Sequence, residues 1–257
     1  MPKILMVFLK FKNRKEIFTK GTVLYLGKEV TQISNNDGIE WDEIKVITYS
    51  DNQSYKDDIN DFDKVKNDLV NYRVILTKSP SKLRFKYEMM KMKFKNLISS
   101  DDTSITLTKK ERPSQKKLRL ASSANAENVK NFLKWFTQHE GHAIYIVNLI
   151  KFHDIAQYPE GYEGKKISGK KAFAKYGRIF LKYNRNLKNN TKYAGDFKST
   201  IADNTGKETN WNRLVIVRYD SRKSIQNLTS QKGFKKGFEL HKGASLETYY
   251  AYVCIME

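Results

Sequence analysis

Between Asn148 and Gly177 the chain reads NLIKFHDIAQYPEGYEGKKISGKKAFAKYG. An apolar strand ends there carrying an amide (Asn148), a cation (Lys151) and an imidazole (His153), with Tyr158 and Pro159 just beyond. A buried amide must be hydrogen-bonded, so Asn148 either fastens neighbouring backbone or donates to a ligand oxygen. Lys151 would balance negative charge. His241, in GFELHKG near the end of a helical stretch, either satisfies the last helical carbonyls or acts as a general base near neutral pH. Tyr176 is a second catalytic candidate, and Tyr158 a ligand-binding one; for both the alternative is packing with an exposed hydroxyl. Trp211, at the start of a strand, is a core or rim aromatic, or else it stacks on a ligand. These positions predict that Asn148, Lys151, Tyr176 and His241 converge at one pocket with the 153–167 loop as its lid. Residues three apart on a regular strand point to opposite faces. Convergence of Asn148 and Lys151 therefore requires the strand to end or bulge between them.

Several chemistries have no signature here. The chain holds no GxxxxGK[ST] loop, GxGxxG turn or GxSxG elbow, which argues against nucleotide-driven and hydrolytic reactions. The single cysteine, Cys254, excludes an internal disulfide and sits in an apolar strand where a thiolate would be suppressed. Four scattered histidines make no metal motif, so neither a metal nor a cofactor is expected. Whether a bound molecule is turned over stays open at this level.

The 257 residues carry a formal charge of +20, with 39% hydrophobic and 12% aromatic residues. No apolar run approaches the ~20 residues that span a bilayer. The opening MPKILMVFLKF reads as a strand rather than a signal peptide, and a cytoplasmic chain is expected. Both halves are basic: residues 1–140 hold 27 Lys+Arg against 18 Asp+Glu (+9), and residues 141–257 hold 21 against 10 (+11). The segment from Lys78 to Arg119 is the densest, with 13 Lys+Arg against 4 Asp+Glu. In KLRFKYE, Lys82, Arg84 and Lys86 share one strand face, and Lys93 follows. That face is either a solvated exterior or an anion-binding surface for membrane headgroups or nucleic-acid phosphate. Aromatic platforms interleaved with the charge are few, which argues against single-strand base stacking.

These residues have to be positioned by elements of two kinds. KILMVFLKF, GTVLYLGKEVTQIS, EWDEIKVITYS, KLRFKYEMMKMKF, TSITLTKKE and KKLRLAS each read as strands. Residues 50–68 read as a long loop or a short surface helix. A helix is predicted at 124–139, capped by Asn125, with Val129, Phe132, Leu133 and Phe136 at helical spacing. The pieces LYLGKEVTQISNNDGIEWDEIKVITYS and KKLRLASSANAENVKNFLKWF resemble a pleckstrin-homology-like fold, which implies a β-rich barrel over residues 1–140 plugged by that helix. A competing reading is a degenerate ferredoxin-like repeat. YLGKEVTQISNNDGIEW (25–41) and YAGDFKSTIADNTGKETNW (193–211) share Tyr, Gly, Ile, Asn, Gly and Trp in order, and EIKVITYSD parallels RLVIVRYDS.

Residues 141–257 follow the order β-α-β-β-α-β, the ferredoxin-like arrangement, with Ser168 capping a helix whose Ala172, Phe173, Tyr176, Ile179, Phe180 and Tyr183 share a face. The fold class is therefore α+β. Asn148-Leu149 with Phe152, Tyr158-Pro159-Glu160-Gly161, Ser168-Gly169, Ala172-Phe173, Tyr176-Gly177, Gly195, Trp211, Tyr219 with Ser221, and His241 together resemble the dimeric α/β-barrel superfamily. Within it they are most similar to the domain of unknown function thirteen-thirty. Lys151 stands where that pattern often has Arg, and Asp220 where Pro often precedes the Ser. The resemblance implies a sheet that pairs into a barrel between two chains, hence a homodimer covering an apolar face that includes Ile144, Ile146, Tyr250 and Tyr252. It also implies a pocket for a small apolar or aromatic molecule. The alternative function is a non-enzymatic module that uses the basic N-terminal face.

Overall fold

The computed structural model describes residues 3–14, 16–34, 38–78, 90, 134–159, 162, 166–184, 187, 189–207 and 210–256. Among the described residues eight strands form, all but β4 where alternation and β-branched content predict one: β1 (Lys3–Phe11), β2 (Thr22–Ser34), β3 (Glu43–Tyr49), β4 (Leu69–Lys78), β5 (Ile144–Phe152), β6 (Asn190–Asp203), β7 (Arg213–Tyr219) and β8 (Leu246–Met256). They close into one antiparallel barrel in the order β1-β3-β2-β8-β5-β7-β6-β4. Each half contributes a four-stranded sheet of the same internal order, β4-β1-β3-β2 and β8-β5-β7-β6. Two seams join them: β2 pairs with β8 (Gln32 opposite Tyr252), and β4 pairs with β6 (Arg73 opposite Asp203).

This closure corrects the expectation that residues 1–140 form a barrel of their own, because β2 and β4 use their outer edges on β8 and β6. It also corrects the reason for a homodimer. The sheet face that carries Tyr250 and Tyr252 is already covered by the N-terminal half, where Ile4, Met6, Phe8, Trp41 and Ile44 pack with Val147, Leu149, Ile216, Tyr250 and Tyr252, while Ile144 and Ile146 lie on the opposite, helix-covered face. Of the expected capping helix, residues 134–138 are described. Trp135 and Phe136 pack on Ile144, Ile179, Phe180 and Phe234, so this helix serves the second half instead of plugging the first. The strands expected at 82–121, and with them Lys82, Arg84, Lys86 and Lys93, lie outside the described residues.

Helices cover the outside of both sheets. The stretch at 50–68 is a 14-residue helix, α1 (Asn52–Val65), because the Asp51 side chain accepts from Ser54 N at 2.7 Å and supplies its N-cap. In the second half α2 (Gly169–Tyr183) is capped by Ser168, as its sequence predicts. Helix α3 (Arg222–Ser230) opens with a reciprocal Ser221–Ser224 capping box. A short helix, α4 (Lys232–Gly237), then runs into a π-helical turn, Phe238–Lys242. Gly169 makes the entry to α2 feasible: a Cβ there would lie 2.5 Å from the carbonyl oxygens of both His153 and Ser245. Strand β4 (VNYRVILTK within it) is the element that sequence patterning missed. Its inward Arg73 interrupts the apolar alternation, and that side chain is fully buried in an ion pair with Asp203 (2.6 Å) and a hydrogen bond to Thr205 (2.8 Å).

Candidate functional site

Beneath the helices of the second half lies a cavity of about 380 Å³. Its floor is the outer face of the sheet: Ile146 and Asn148 from β5, Val215, Val217 and Tyr219 from β7, and Tyr249 from β8. Its roof comes from Phe173, Tyr176 and Phe180 on α2, Phe234 on α4, and Phe238, Glu239 and Lys242 on the π-helical turn. The first half contributes Ile33 from β2. The walls are mostly apolar, and the size is within the usual range for small-molecule sites of roughly 300–1,000 Å³.

The polar groups that reach this space differ in how far they are already committed. Asn148 Nδ2 donates to the carbonyls of Ile146 (3.0 Å) and Val215 (2.9 Å), which fixes the amide on the sheet. Its Oδ1 accepts from the Tyr249 hydroxyl at 2.5 Å. Asn148 thus has no donor left for a ligand, and what it presents to the cavity is Tyr249, whose oxygen can still accept. The hydroxyls of Tyr176 and Tyr219 have no protein partner among the described residues. Burial drives all three phenols above their ordinary range, with mutual repulsion adding for Tyr176 and Tyr249, so they are neutral at physiological pH.

Thr191, Thr229 and Glu239 also line the space, together with a cation, Lys242. Its Nζ lies 4.0 Å from the ring centroid of Tyr249 and 4.5 Å from that of Phe238, with Tyr176 at 5.9 Å. No carboxylate pairs with it among the described residues. Part of its surface faces the cavity, so its desolvation comes from the apolar walls rather than from full enclosure. That desolvation pushes its ammonium down to about 7, against the cation–π contacts, which favour the charged form.

The other sequence candidates lie elsewhere. Lys151 faces away from Asn148, as strand alternation requires, and pairs with Glu247 at 2.9 Å. His241 is buried beside the cavity but does not line it: Nδ1 meets the Tyr158 hydroxyl at 2.9 Å, and both rings pack with Tyr162. This pair fastens the 153–167 loop to the turn that carries Lys242. Further ties run from His153 N to Ser245 O (3.1 Å) and from Gln157 N to Ala244 O (2.8 Å). No described residue of 153–167 lines the cavity, so the expected lid is instead a strap along segment 244–245. Trp211 is inside the barrel against Tyr250, with its indole N–H unpartnered among the described residues. The structure thus brings Asn148 and Tyr176 together and leaves Lys151, His241, Tyr158 and Trp211 outside the cavity.

Sequence reasoning missed Lys242 and Tyr249. In GFELHKG the histidine is the usual proton carrier, whereas the π-helical turn places its neighbour, Lys242, in the cavity lining. For Tyr249 a signal existed. Alternation in LETYYAYV places Tyr249 on the face opposite Tyr250 and Tyr252, which is the helix-covered one.

No family model matches the chain, and no curated protein matches it. Among solved structures, a protein of unknown function from Rhodopseudomonas palustris is 19% identical with a TM-score of 0.42, covering 49% of this chain and 92% of its own. A provisionally assigned monooxygenase from Fusobacterium nucleatum is 14% identical with a TM-score of 0.42, covering 100% of this chain and 93% of its own. An anthrone oxidase-like protein is 8% identical with the same TM-score, covering 100% and 91%. Likenesses this distant leave the chemistry to be read from the side chains.

Proposed function

We propose that this protein binds a small apolar or aromatic molecule bearing an oxygen function in the cavity under α2. The supporting observation is the combination in one apolar space of two uncommitted phenol donors, Tyr176 and Tyr219, with Lys242. Aromatic walls supply affinity by burying the ligand's rings, and the hydroxyls orient its oxygen. Turnover belongs to the same reading, because a lysine that titrates near neutrality can take up and release a proton there. Ligand-observed NMR with a panel of hydroxylated and unsubstituted aromatics tests it. Hydroxylated members should bind, and Gly177→Phe should abolish the signal by filling the space, since a Cβ at Gly177 meets nothing within 4 Å. A panel in which no member binds would remove the proposal. The alternative basic-face function rests on Lys82, Arg84, Lys86 and Lys93, and no described residue supports it. Among the described residues no helix is long and apolar enough to cross a membrane.

A further inference from the structure

A lysine inside an aromatic cavity needs a reason to be there. Lys242 forms no ion pair among the described residues, although Glu239, three residues earlier, lines the same cavity. A lysine placed to hold an anionic ligand could stay solvated at the rim. This one lines the cavity with its terminal nitrogen laid over the rings of Tyr249 and Phe238. Among the described residues, the charged and titratable groups that share the cavity with it are Tyr176 from α2, Tyr219 from β7, Tyr249 from β8 and Glu239 from its own turn. The three phenols are neutral hydrogen-bonding groups, and two of them are free to donate.

We propose that Lys242 is a nucleophile that forms an imine with an aromatic or apolar aldehyde or ketone held in this cavity. The proposal rests on the binding reading above and names its ligand class. The neutral amine's lone pair attacks the carbonyl carbon, making the C–N bond while the C=O π electrons move to oxygen. The Tyr176 and Tyr219 hydroxyls donate to that oxygen as its charge develops, without giving up their protons. One amine proton then passes to the oxygen, giving a neutral carbinolamine. The nitrogen lone pair expels the hydroxyl, which leaves as water with the second amine proton, and the C=N bond is complete. Overall one carbonyl compound and one amine give one imine and one water, with no change in oxidation state. Desolvation favours this by holding a substantial share of Lys242 as free amine at neutral pH, whereas solvent-exposed lysines are almost entirely protonated.

The test uses the full chain with benzaldehyde as probe and cyanoborohydride to trap any imine as a stable benzylamine, followed by peptide mapping. Trapping should be concentrated at Lys242 at pH ~7, where exposed lysines are almost entirely protonated. Lys242→Met should lose that adduct while the surface lysines label as before, and Lys242→Arg should lose it too. Mapping the wild type needs no variant, so it stands even where a substitution impairs folding. Binding of benzyl alcohol, which fits the same cavity but has no carbonyl, is measured in parallel by ligand-observed NMR. Binding of benzyl alcohol with no preferential adduct at Lys242 overturns the imine and leaves the binding site standing. Failure of both probes to bind overturns the binding reading along with it.

Discussion

The two halves of the barrel share a strand order and differ in what lies outside their sheets. The second half carries α2 and the α3–α4 pair, and between them and the sheet a cavity remains. Among the described residues of the first half α1 is the one long helix, and the chain between β1 and β2 is a short connection. That connection turns its apolar residues inward. Ile17 and Phe18 are buried, Phe18 takes a left-handed backbone (φ 62°), and its ring stacks on Phe62 at 5.2 Å. Asp58 of α1 accepts from Lys20 N, Gly21 N and the Tyr49 hydroxyl, which pins the connection down. Tyr49 ends β3 as Tyr219 ends β7, yet one phenol is bonded to a carboxylate and the other faces the cavity. A full helix bridges over a space at its own diameter, whereas a ten-residue connection collapses onto the sheet and fills it. Among the described residues, Ile17 and Phe18 thus fill the space outside the first sheet, whereas beneath α2 the second sheet keeps a cavity.

The strongest way to break this contrast is to cut an aromatic ring from each side. Phe62→Ala should cost about 4 kcal/mol in urea unfolding, because a closely packed core leaves a cavity behind. Phe238→Ala should cost roughly half of that, since its ring already borders open space. Equal losses would mean the two faces are packed alike. Next, Asp58→Ala leaves three buried or half-buried donors without an acceptor and should cost about 3 kcal/mol. Increased protease cleavage within residues 12–21 would report the release of the connection, and unchanged resistance would show that Asp58 does not hold it.

A smaller effect depends on pH. Lys242 loses its proton near pH 7 in the folded chain and near ~10.4 when unfolded, so between those values the unfolded state binds the extra proton. Stability attributable to this group therefore rises with pH from about 7 to about 10, and below 7 the cost of the buried charge is constant. Lys242→Met should be more stable than wild type at pH 7, and the difference should close towards pH 10. Parallel stability–pH curves would show that Lys242 is solvated. The smallest effect is expected at Gly177 on α2, where a Cβ meets nothing within 4 Å. Gly177→Ala should raise stability by about 0.5–1 kcal/mol through helix propensity, with little change in ligand binding. A loss of stability would mean that the helix needs the glycine.

The sequence by itself determined the local elements. Alternation drew β1, β2, β3 and β5–β8, and Ser168 fixed the start of α2. These features depend on neighbours within a few positions, which is the range over which period and capping act. It also placed Asn148 and Tyr176 on surfaces that meet. What tertiary structure decided was every relation between distant segments. Arg73 looks like a break in a strand until Asp203, 130 positions away, neutralises it across the β4–β6 seam. The N-terminal half looks able to close alone until its edges find β8 and β6. Lys242 looks like one surface lysine among many until the walls of Phe238, Tyr249 and Tyr176 remove its water. Burial and pairing partners are properties of the assembled barrel, and a residue's own sequence neighbourhood carries neither.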